Sequence, residues 1–533
     1  MTDTVGTEAD AAERDAYFVG GGIASLAGAA FLLRDTEIPG ENVHVLEKRQ
    51  VFGGALDGRG TPEEGYVLPG GRMFNFPTYE CTWNLFRSIP SLEDPDATIK
   101  GEMDEFNEKH ETYAEARLVG ADQEILDVSS YGFETQHRLS LLRLLLTPEE
   151  RLGETRIEEW FDETFFDTTF WYLWATTFAF QPWHSAAEMR RYMQRFTREF
   201  PRLHTLSGVS RTKYNQYDSV VRPLRRWLEA RGVDFLGGHT VTGLDIVPAR
   251  AGKTVETIRY EDQDGTAGTI AVEPTDVVFV TNGSMTDALS LGSMTEAPDL
   301  HDSGTSFELW KALADDFPEF GRPSVFADHV PESKWESFTL TLREPDFLEH
   351  VVEVTREEPG NALVTFTESN WLLSIVTAVQ PHFANQPDDV KVIWGYGLFP
   401  EERGNHVNKK MEDCTGEEIL AELCHHLGYT DRLEELRETA TCIPCMMPFI
   451  TSQFMPRTPG DRPEVVPAGS NNLAFLGQFA EVPDDVVFTV EYSVRSALMA
   501  VHELFDAEGD VPPVSTHQYE PDVLLDTVRA AFR

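Results

Sequence analysis

The chain has 533 residues, and its 90 Asp and Glu against 44 Lys and Arg give a formal net charge of −46. Because the acidic residues are spread along the whole chain, the composition argues against a nucleic-acid partner and against stable anchoring on an anionic membrane. High salt screens the self-repulsion of such a surface, so we hypothesise a halophilic source and a cytoplasmic location.

The N-terminal residues 1–15 are acidic and polar, without the basic and apolar regions of a signal peptide. We predict a disordered leader there. No uninterrupted apolar run in the sequence reaches the ~18 residues that a membrane-spanning helix needs.

A strand, a glycine turn and a helix follow this leader. Residues 16–19 are apolar, three glycines come next, and a run of small residues begins a helix. A second apolar strand at 43–47 ends in an acid. This layout is typical of a dinucleotide-binding βαβ unit, in which glycines let backbone N–H groups approach a pyrophosphate and the acid binds ribose hydroxyls. The predicted cofactor contacts are Gly20, Gly22, Ser25 and Glu47.

Two later glycine sites fit the same cofactor, although a plain turn also explains each of them. Gly53 and Gly54 follow Glu47 closely, and Gly477 ends a late apolar strand just before the helix predicted at 490–505. Together with the first turn, they predict one nucleotide-binding domain built from discontinuous pieces.

The middle of the chain, residues 140–200, is predicted to be helical and is dense in aromatic residues. One interpretation is a buried helical core, and another is the lining of a site for a long apolar ligand. Further helices are predicted at 217–229 and 416–427, and strands alternate between them.

Five cysteines are few and odd in number, so we expect a reducing compartment and no disulfide framework. Cys442 and Cys445 form a CxxC pair. It does not open a helix of a thioredoxin-like unit, and no second pair completes a zinc site. We therefore predict a structural role for these thiols and no metal site.

Longer motifs occur in order between residues 16 and 510: GGGIASLAGAAFLLR (20–34), GYVLPGGRM (65–73), FWYLWATTFAFQPWHSAAEMRRYMQRF (170–196), KYNQYDS (213–219), QPHFANQP (380–387) and NLAFLGQFAE (472–481). They resemble the motifs of the oleate hydratases, also called the myosin-cross-reactive antigen family. The resemblance implies FAD-dependent addition of water to the cis double bond of a free unsaturated fatty acid. It also implies that the flavin acts in its reduced form, without net redox change.

The fold that this resemblance implies is α/β, with an FAD-binding Rossmann-like (GR2-type) domain, an inserted mixed α+β substrate domain and a helical lid. We assign residues 16–150, 205–300 and 440–510 to the FAD-binding domain. Residues 151–204 and 301–439 form the predicted substrate-binding domain, and 511–533 a short tail. Many relatives carry a longer helical tail linked to membrane association. We expect a monomer or a homodimer.

The resemblance also implies site residues. Tyr192, in the RRY motif, matches the family's proton-donating tyrosine, and His382 matches a histidine that holds the substrate carboxylate. The remaining cofactor contacts carried over from the motifs are Gly70, Gly71, Arg72, Asn282, Gly283 and Glu481.

The sequence departs from the family pattern at two places. Relatives often carry a catalytic glutamate where this chain has Met73, and a thioether cannot act as a base. Some members share this methionine, which indicates a Met-bearing subgroup. Glu80 is a nearby carboxylate that could substitute, although a structural or helix-start role is the better explanation of it. Val376 and Ala378 stand where many relatives have a hydroxyl and an amide ahead of His382.

Two other functions stay open from the sequence. One is a flavin-dependent oxidase or desaturase, which shares the nucleotide-binding fold. The other is a non-catalytic flavoprotein that binds fatty acids, a hypothesis that the methionine at position 73 motivates.

Overall fold

The computed structural model describes residues 14–71, 73–249, 252–361, 363–505, 507, 509–517 and 519–532. The predicted leader, apart from its last two residues, lies outside this range, as does Arg72. Within this range, no helix is long and apolar enough to cross a membrane.

The strands in chain order are β1 (Ala16–Val19), β2 (Val43–Glu47), β3 (Arg59–Thr61), β4 (Gly65–Val67), β5 (Phe74–Asn75), β6 (Leu118–Val119), β7 (Val209–Ser210), β8 (Asp234–Gly237), β9 (His239–Ala249), β10 (Gly252–Asp262), β11 (Ala267–Ala271), β12 (Val277–Thr281), β13 (Ser290–Leu291), β14 (Trp335–Leu342), β15 (Leu363–Phe366), β16 (Leu373–Thr377), β17 (Lys391–Gly397), β18 (Ala440–Met447) and β19 (Leu473–Leu476).

The α-helices are α1 (Ile23–Asp35), α2 (Glu80–Phe86), α3 (Ile99–Lys109), α4 (Thr135–Leu146), α5 (Glu149–Leu152), α6 (Ile157–Trp160), α7 (Thr169–Phe178), α8 (Ala186–Arg195), α9 (Arg222–Glu229), α10 (Thr305–Asp316), α11 (Ser324–Ala327), α12 (Val330–Ser333), α13 (Asp346–Thr355), α14 (Gly416–Leu427), α15 (Leu433–Thr439), α16 (Val490–Phe505) and α17 (Pro521–Ala531).

A five-stranded parallel sheet carries the first glycine turn, with the strand order β19-β12-β1-β2-β8. Its central strands are apolar at successive positions because both faces are covered, as in other parallel sheets. Helices α1 and α16 pack together on one face. Gly28 lets α1 come close to β1, since a Cβ there would lie 2.6 Å from the Phe18 ring. This architecture confirms the predicted Rossmann-like α/β class.

A second sheet has seven strands in the order β13-β18-β14-β17-β16-β15-β6, antiparallel except for the β6–β15 pair. One face of β14 packs into a core shared with α14, through Phe338 and Leu340. Strands β6 and β18 are both members of this sheet, although we assigned their residues to the FAD-binding domain. That assignment missed them because strand pairing joins segments that are distant in sequence.

The other face of β14 holds the segment that leads to Met73. The hydroxyls of Thr341 and Thr339 accept the backbone N–H groups of Tyr66 and Leu68 at 2.8 and 2.9 Å. The Ser337 hydroxyl donates to the Pro69 carbonyl at 2.8 Å. These bonds fix residues 66–69 along the sheet, so the chain that follows passes from the sheet into the interior.

The aromatic region forms mostly core, as the first of its two interpretations predicts. Phe165, Phe170 and Phe180 are fully buried; the rings of Phe170 and Phe180 stack on Trp174, and Phe165 packs against Phe170 at a tilt. Phe178 differs, because it lines one of the internal cavities described below. The five cysteines are buried and free, and burial raises the pKa of the Cys445 thiol to about 12.

Candidate active site

The first glycine turn is held by hydrogen bonds to the neighbouring loops. Gly20 has a φ of +96°, which favours glycine, and its N–H donates to the Leu46 carbonyl at 2.8 Å. The Gly21 N–H donates to Glu47 Oε2 at 2.7 Å, and the Gly53 N–H donates to the Gly21 carbonyl at 2.8 Å. The carboxylate predicted to bind ribose therefore also closes the turn.

A groove runs over this turn, and we name it the glycine groove. It consists of two adjoining pockets with empty volumes of about 760 and 540 Å³, partly open to solvent, which share Gly22, Gly54, Thr281 and Ser284. Helix α1 starts at this groove with Gly22 as its N-cap, without a side-chain cap and without an acid in its first turn. Its first N–H groups are therefore suited to an anionic group.

The groove brings together most of the predicted cofactor residues. Those that line it are Gly20, Gly22, Glu47, Gly54, Gly283 and Gly477. Three others support it from behind. Gly53 forms the second turn with a φ of +127°, Ser25 Oγ lies 3.3 Å from Thr281 Oγ1, and the Asn282 side chain donates to the Phe479 carbonyl at 3.1 Å. The buried Asn282 Oδ1 has no hydrogen-bond partner among the described residues.

The structure places three of the predicted cofactor residues elsewhere. Glu481 forms ion pairs with Arg191 at 2.8 Å and with Arg457 at 3.6 Å, because the chain turns away from the groove after Gly477. Gly71 lines the two internal cavities described next, and a Cβ there would lie 3.4 Å from the Trp394 ring. Gly70 is buried beside it.

Two internal cavities lie beyond the groove. The histidine cavity, of about 960 Å³, contains His382, and the tyrosine cavity, of about 740 Å³, contains Tyr192. They share Gly71, Met73, Thr177 and Phe488. Met73, which occupies the position of the family glutamate, therefore lies at their junction.

Tyr192 is 1% exposed on α8, a helix whose N-cap Ser185 accepts the Glu188 N–H. The phenol donates to the Val487 carbonyl at 2.5 Å. Phe178, Phe180 and Phe196 pack around its ring. The phenol is thus a hydrogen-bond donor that lies among aromatic rings.

The histidine cavity is cationic at the end where His382 lies. Burial, with the charge of Arg211 adding to it, lowers the pKa of His382 to about 4, so its ring is neutral at pH 7. Burial lowers the pKa of Arg211 only to about 10, and this guanidinium stays charged. Its Nη2 atom is buried and has no hydrogen-bond partner among the described residues. Lys213 lies nearby but is ion-paired with Glu93.

Val376 and Ala378, the two departures from the family pattern, line the same cavity. They offer no side-chain hydrogen bond to a ligand. The positive charge that could bind an anionic ligand in this cavity is therefore that of Arg211, a residue that the sequence analysis missed. Its position two residues before the KYNQYDS motif was the available signal.

Phe488 stands where the glycine groove meets both cavities, and it lines all three. Its φ of +69° is uncommon for a bulky residue. The loop that carries it is anchored by the buried Asp485, whose carboxylate binds Arg195 at 3.1 Å and Arg495 at 2.9 Å. A residue with a strained backbone thus lies at the junction, on a loop that buried ion pairs anchor.

Glu80, the proposed substitute for the missing glutamate, belongs to these same ion pairs. Its carboxylate binds Arg195 at 2.9 Å and Arg495 at 2.8 Å. Burial acts in the opposite direction, but the hydrogen bond and charge of Arg195 hold the pKa of Glu80 below its ordinary value. Because both arginines occupy its oxygens, Glu80 serves to anchor the loop.

The chain is similar to known proteins over nearly all of its length. The model of the MCRA family matches residues 13–502. An oleate hydratase of Streptococcus pyogenes is 40% identical over 527 residues, covering 96% of this chain and 89% of that protein. A linoleate hydratase of Lactiplantibacillus plantarum is 35% identical over 561 residues, covering 97% of this chain and 98% of that protein.

Among solved structures, an oxidoreductase from Methanosarcina mazei aligns with 92% of this chain and 100% of its own, with a TM-score of 0.48 and 12% identity. The family model and both hydratases span nearly all of the chain. The chain therefore belongs to the MCRA family.

Proposed function

We propose that this protein is a fatty acid hydratase, which adds water to the cis double bond of a free unsaturated fatty acid. The observation that carries the proposal is the pair of joined cavities, with Arg211 and His382 at one end and Tyr192 at the other. The hydratases that resemble the chain over nearly all of its length support the same reaction.

The cavity lining suits an amphipathic ligand. At the cationic end, Arg211 would bind the carboxylate through a charge-assisted hydrogen bond, and neutral His382 would add a second one. From there the hydrocarbon chain would pass Met73 into the tyrosine cavity. Both cavities expose mainly apolar groups, so the alkyl chain would displace little bound water.

The reaction then needs a proton donor and a water molecule on opposite sides of the double bond. The Tyr192 phenol would turn from the Val487 carbonyl toward the alkene and deliver its proton to one carbon. Water would add to the other carbon and return a proton to the enzyme, giving a secondary alcohol. A phenol is a weak acid, so close placement in a dry site is essential.

We infer that the glycine groove holds FAD, active in its reduced form. Gly22, Gly54 and the start of α1 would bind the pyrophosphate, and Glu47 the ribose. The start of α1, which has no side-chain cap and no acid in its first turn, fits such an anionic group. When bound, the reduced flavin would supply a polar, electron-rich surface beside the cavities, without net redox change.

Product analysis tests this proposal. The FAD-loaded, reduced protein is incubated with oleate in molar salt under nitrogen, in water enriched in ¹⁸O. We expect a 10-hydroxy acid that carries one solvent oxygen, with Tyr192→Phe inactive but still able to bind FAD. Turnover only with an electron acceptor would instead indicate an oxidase or desaturase, and tight binding without product a non-catalytic flavoprotein.

A further inference from the structure

The tyrosine cavity contains a carboxylate that the sequence analysis did not single out. Within the described part of the chain, Glu199 is the only Asp or Glu among the residues that line the two cavities. It shares the tyrosine cavity with Tyr192 and Met73. A carboxylate is therefore present beside the proton donor even though position 73 is a methionine.

Glu199 is held in one orientation. Arg202 binds both of its oxygens, Nη2 to Oε1 at 2.7 Å and Nε to Oε2 at 2.8 Å. Asn75 Nδ2 donates to Oε1 at 2.8 Å. A Cβ at Gly208 would lie 1.8 Å from Oε2, so a larger residue there would displace the carboxylate. The side chain is 13% exposed, and these contacts leave it little freedom.

The same contacts link Glu199 to the position of the missing acid. Asn75 lies two residues after Met73 and pairs with Val209 through the short β5–β7 ladder. The strand that follows Met73 thus carries the amide that holds Glu199. Within this cavity, the carboxylate comes from residue 199 while the neighbouring strand supplies its support.

Glu80 and Glu481 do not offer this arrangement. Both are bound by arginines of the buried ion pairs around the 482–489 loop. Glu199 has an arginine partner too, but it lines the cavity in which Tyr192 lies. A double bond between these two side chains would face the phenol on one side and a water molecule bound to the carboxylate on the other.

We propose that Glu199 activates the attacking water and so takes the role of the glutamate that Met73 replaces. This inference rests on the hydratase function proposed above. One alkene carbon gains the Tyr192 proton, and the other forms a C–O bond with water. The water loses a proton to Glu199, and that proton returns to the Tyr192 phenolate. The sum is alkene plus water giving one alcohol, with no electrons gained or lost.

Glu199→Gln tests the role, because the amide keeps an acceptor for Asn75 and Arg202 but cannot take a proton. We expect kcat for oleate hydration to fall at least 100-fold, with KM, FAD affinity and Tm unchanged. Met73→Glu in the same variant should restore at least a tenth of the lost activity, since it returns a carboxylate to the junction. Glu199→Asp should keep partial activity.

The matched control is Glu149→Gln. Glu149 also binds an arginine, Arg191, through both oxygens and pairs with Arg457 at 3.2 Å, but it lies outside the residues lining both cavities. Its kcat should stay within threefold of the wild type. An active Glu199→Gln variant, or an inactive one that Met73→Glu does not restore, overturns the proposal. A wild-type protein that does not hydrate oleate would instead contradict the proposed function.

Discussion

Replacing Arg211 by methionine should weaken substrate binding and stabilise the protein at the same time. The guanidinium lines the histidine cavity with its Nη2 atom buried, and it has no carboxylate partner among the described residues. Its pKa is lowered from 12.5 to about 10, which sets an upper limit of about 3 kcal/mol on the cost of keeping it charged. Methionine removes that charge and keeps an apolar side chain of similar length.

The same charge should contribute to binding of the fatty acid. A hydrogen bond to a charged group contributes about 1.5–3 kcal/mol, so its loss should raise KM about 10- to 150-fold. Because the carboxylate lies far from the double bond, kcat should change much less than KM. The methyl ester carries no charge, and the variant and the wild type should hydrate it equally well.

The measurements are initial rates with oleate and its methyl ester, and urea denaturation at pH 7 in molar salt. Lys213→Met is the matched control, because Lys213 already pairs with Glu93 and should change KM less than threefold. An unchanged KM for oleate, together with a lower free energy of unfolding in Arg211→Met, would refute the reasoning. Arg211 would then be a structural cation.

Three further outcomes are expected. Gly54→Val should abolish FAD binding, measured by flavin fluorescence, because its φ is +56° and a Cβ would lie 3.1 Å from Gly22 Cα; retained affinity would contradict the groove assignment. Asp485→Asn should lower the free energy of unfolding by about 1.5–3 kcal/mol in urea, because two buried arginines lose one carboxylate partner while Glu80 still binds both; a change below about 1 kcal/mol would argue against this. Burial lowers the pKa of His184 to about 3, so on acidification the unfolded chain takes up a proton before the folded one does. The free energy of unfolding should therefore fall as the pH drops from about 6.5 toward 3. His184→Asn should weaken this pH dependence in urea denaturation curves.

Local elements were predictable wherever the sequence pattern and its end signals agree. The helix expected at 416–427 spans those same residues, because Thr415 and Glu418 form a capping box and Gly428 ends the helix with a positive φ. The helix at 490–505 is likewise confirmed at both ends. The first glycine turn and the strands beside it are confirmed too, since their hydrogen bonds lie within one βαβ unit.

Sheet membership and side-chain direction were not predictable in the same way. β18 pairs with β14, about a hundred residues earlier in the sequence, and local propensity contains no information about such a partner. Glu481 follows a predicted cofactor glycine by four residues, yet it points to arginines on other elements. A motif indicates that a residue is present, while packing decides which way its side chain faces.

The sequence by itself determined the nucleotide-binding turn, the Rossmann-like class and the family resemblance, because each depends on contiguous residues with a characteristic order. The resemblance also selected Tyr192, Met73 and His382 as predicted site residues. Only the tertiary structure placed Met73 between two cavities, Arg211 beside His382 and Glu199 beside Tyr192. These neighbours come from separate elements, and the burial and charge that give them their chemistry exist only after the chain has folded.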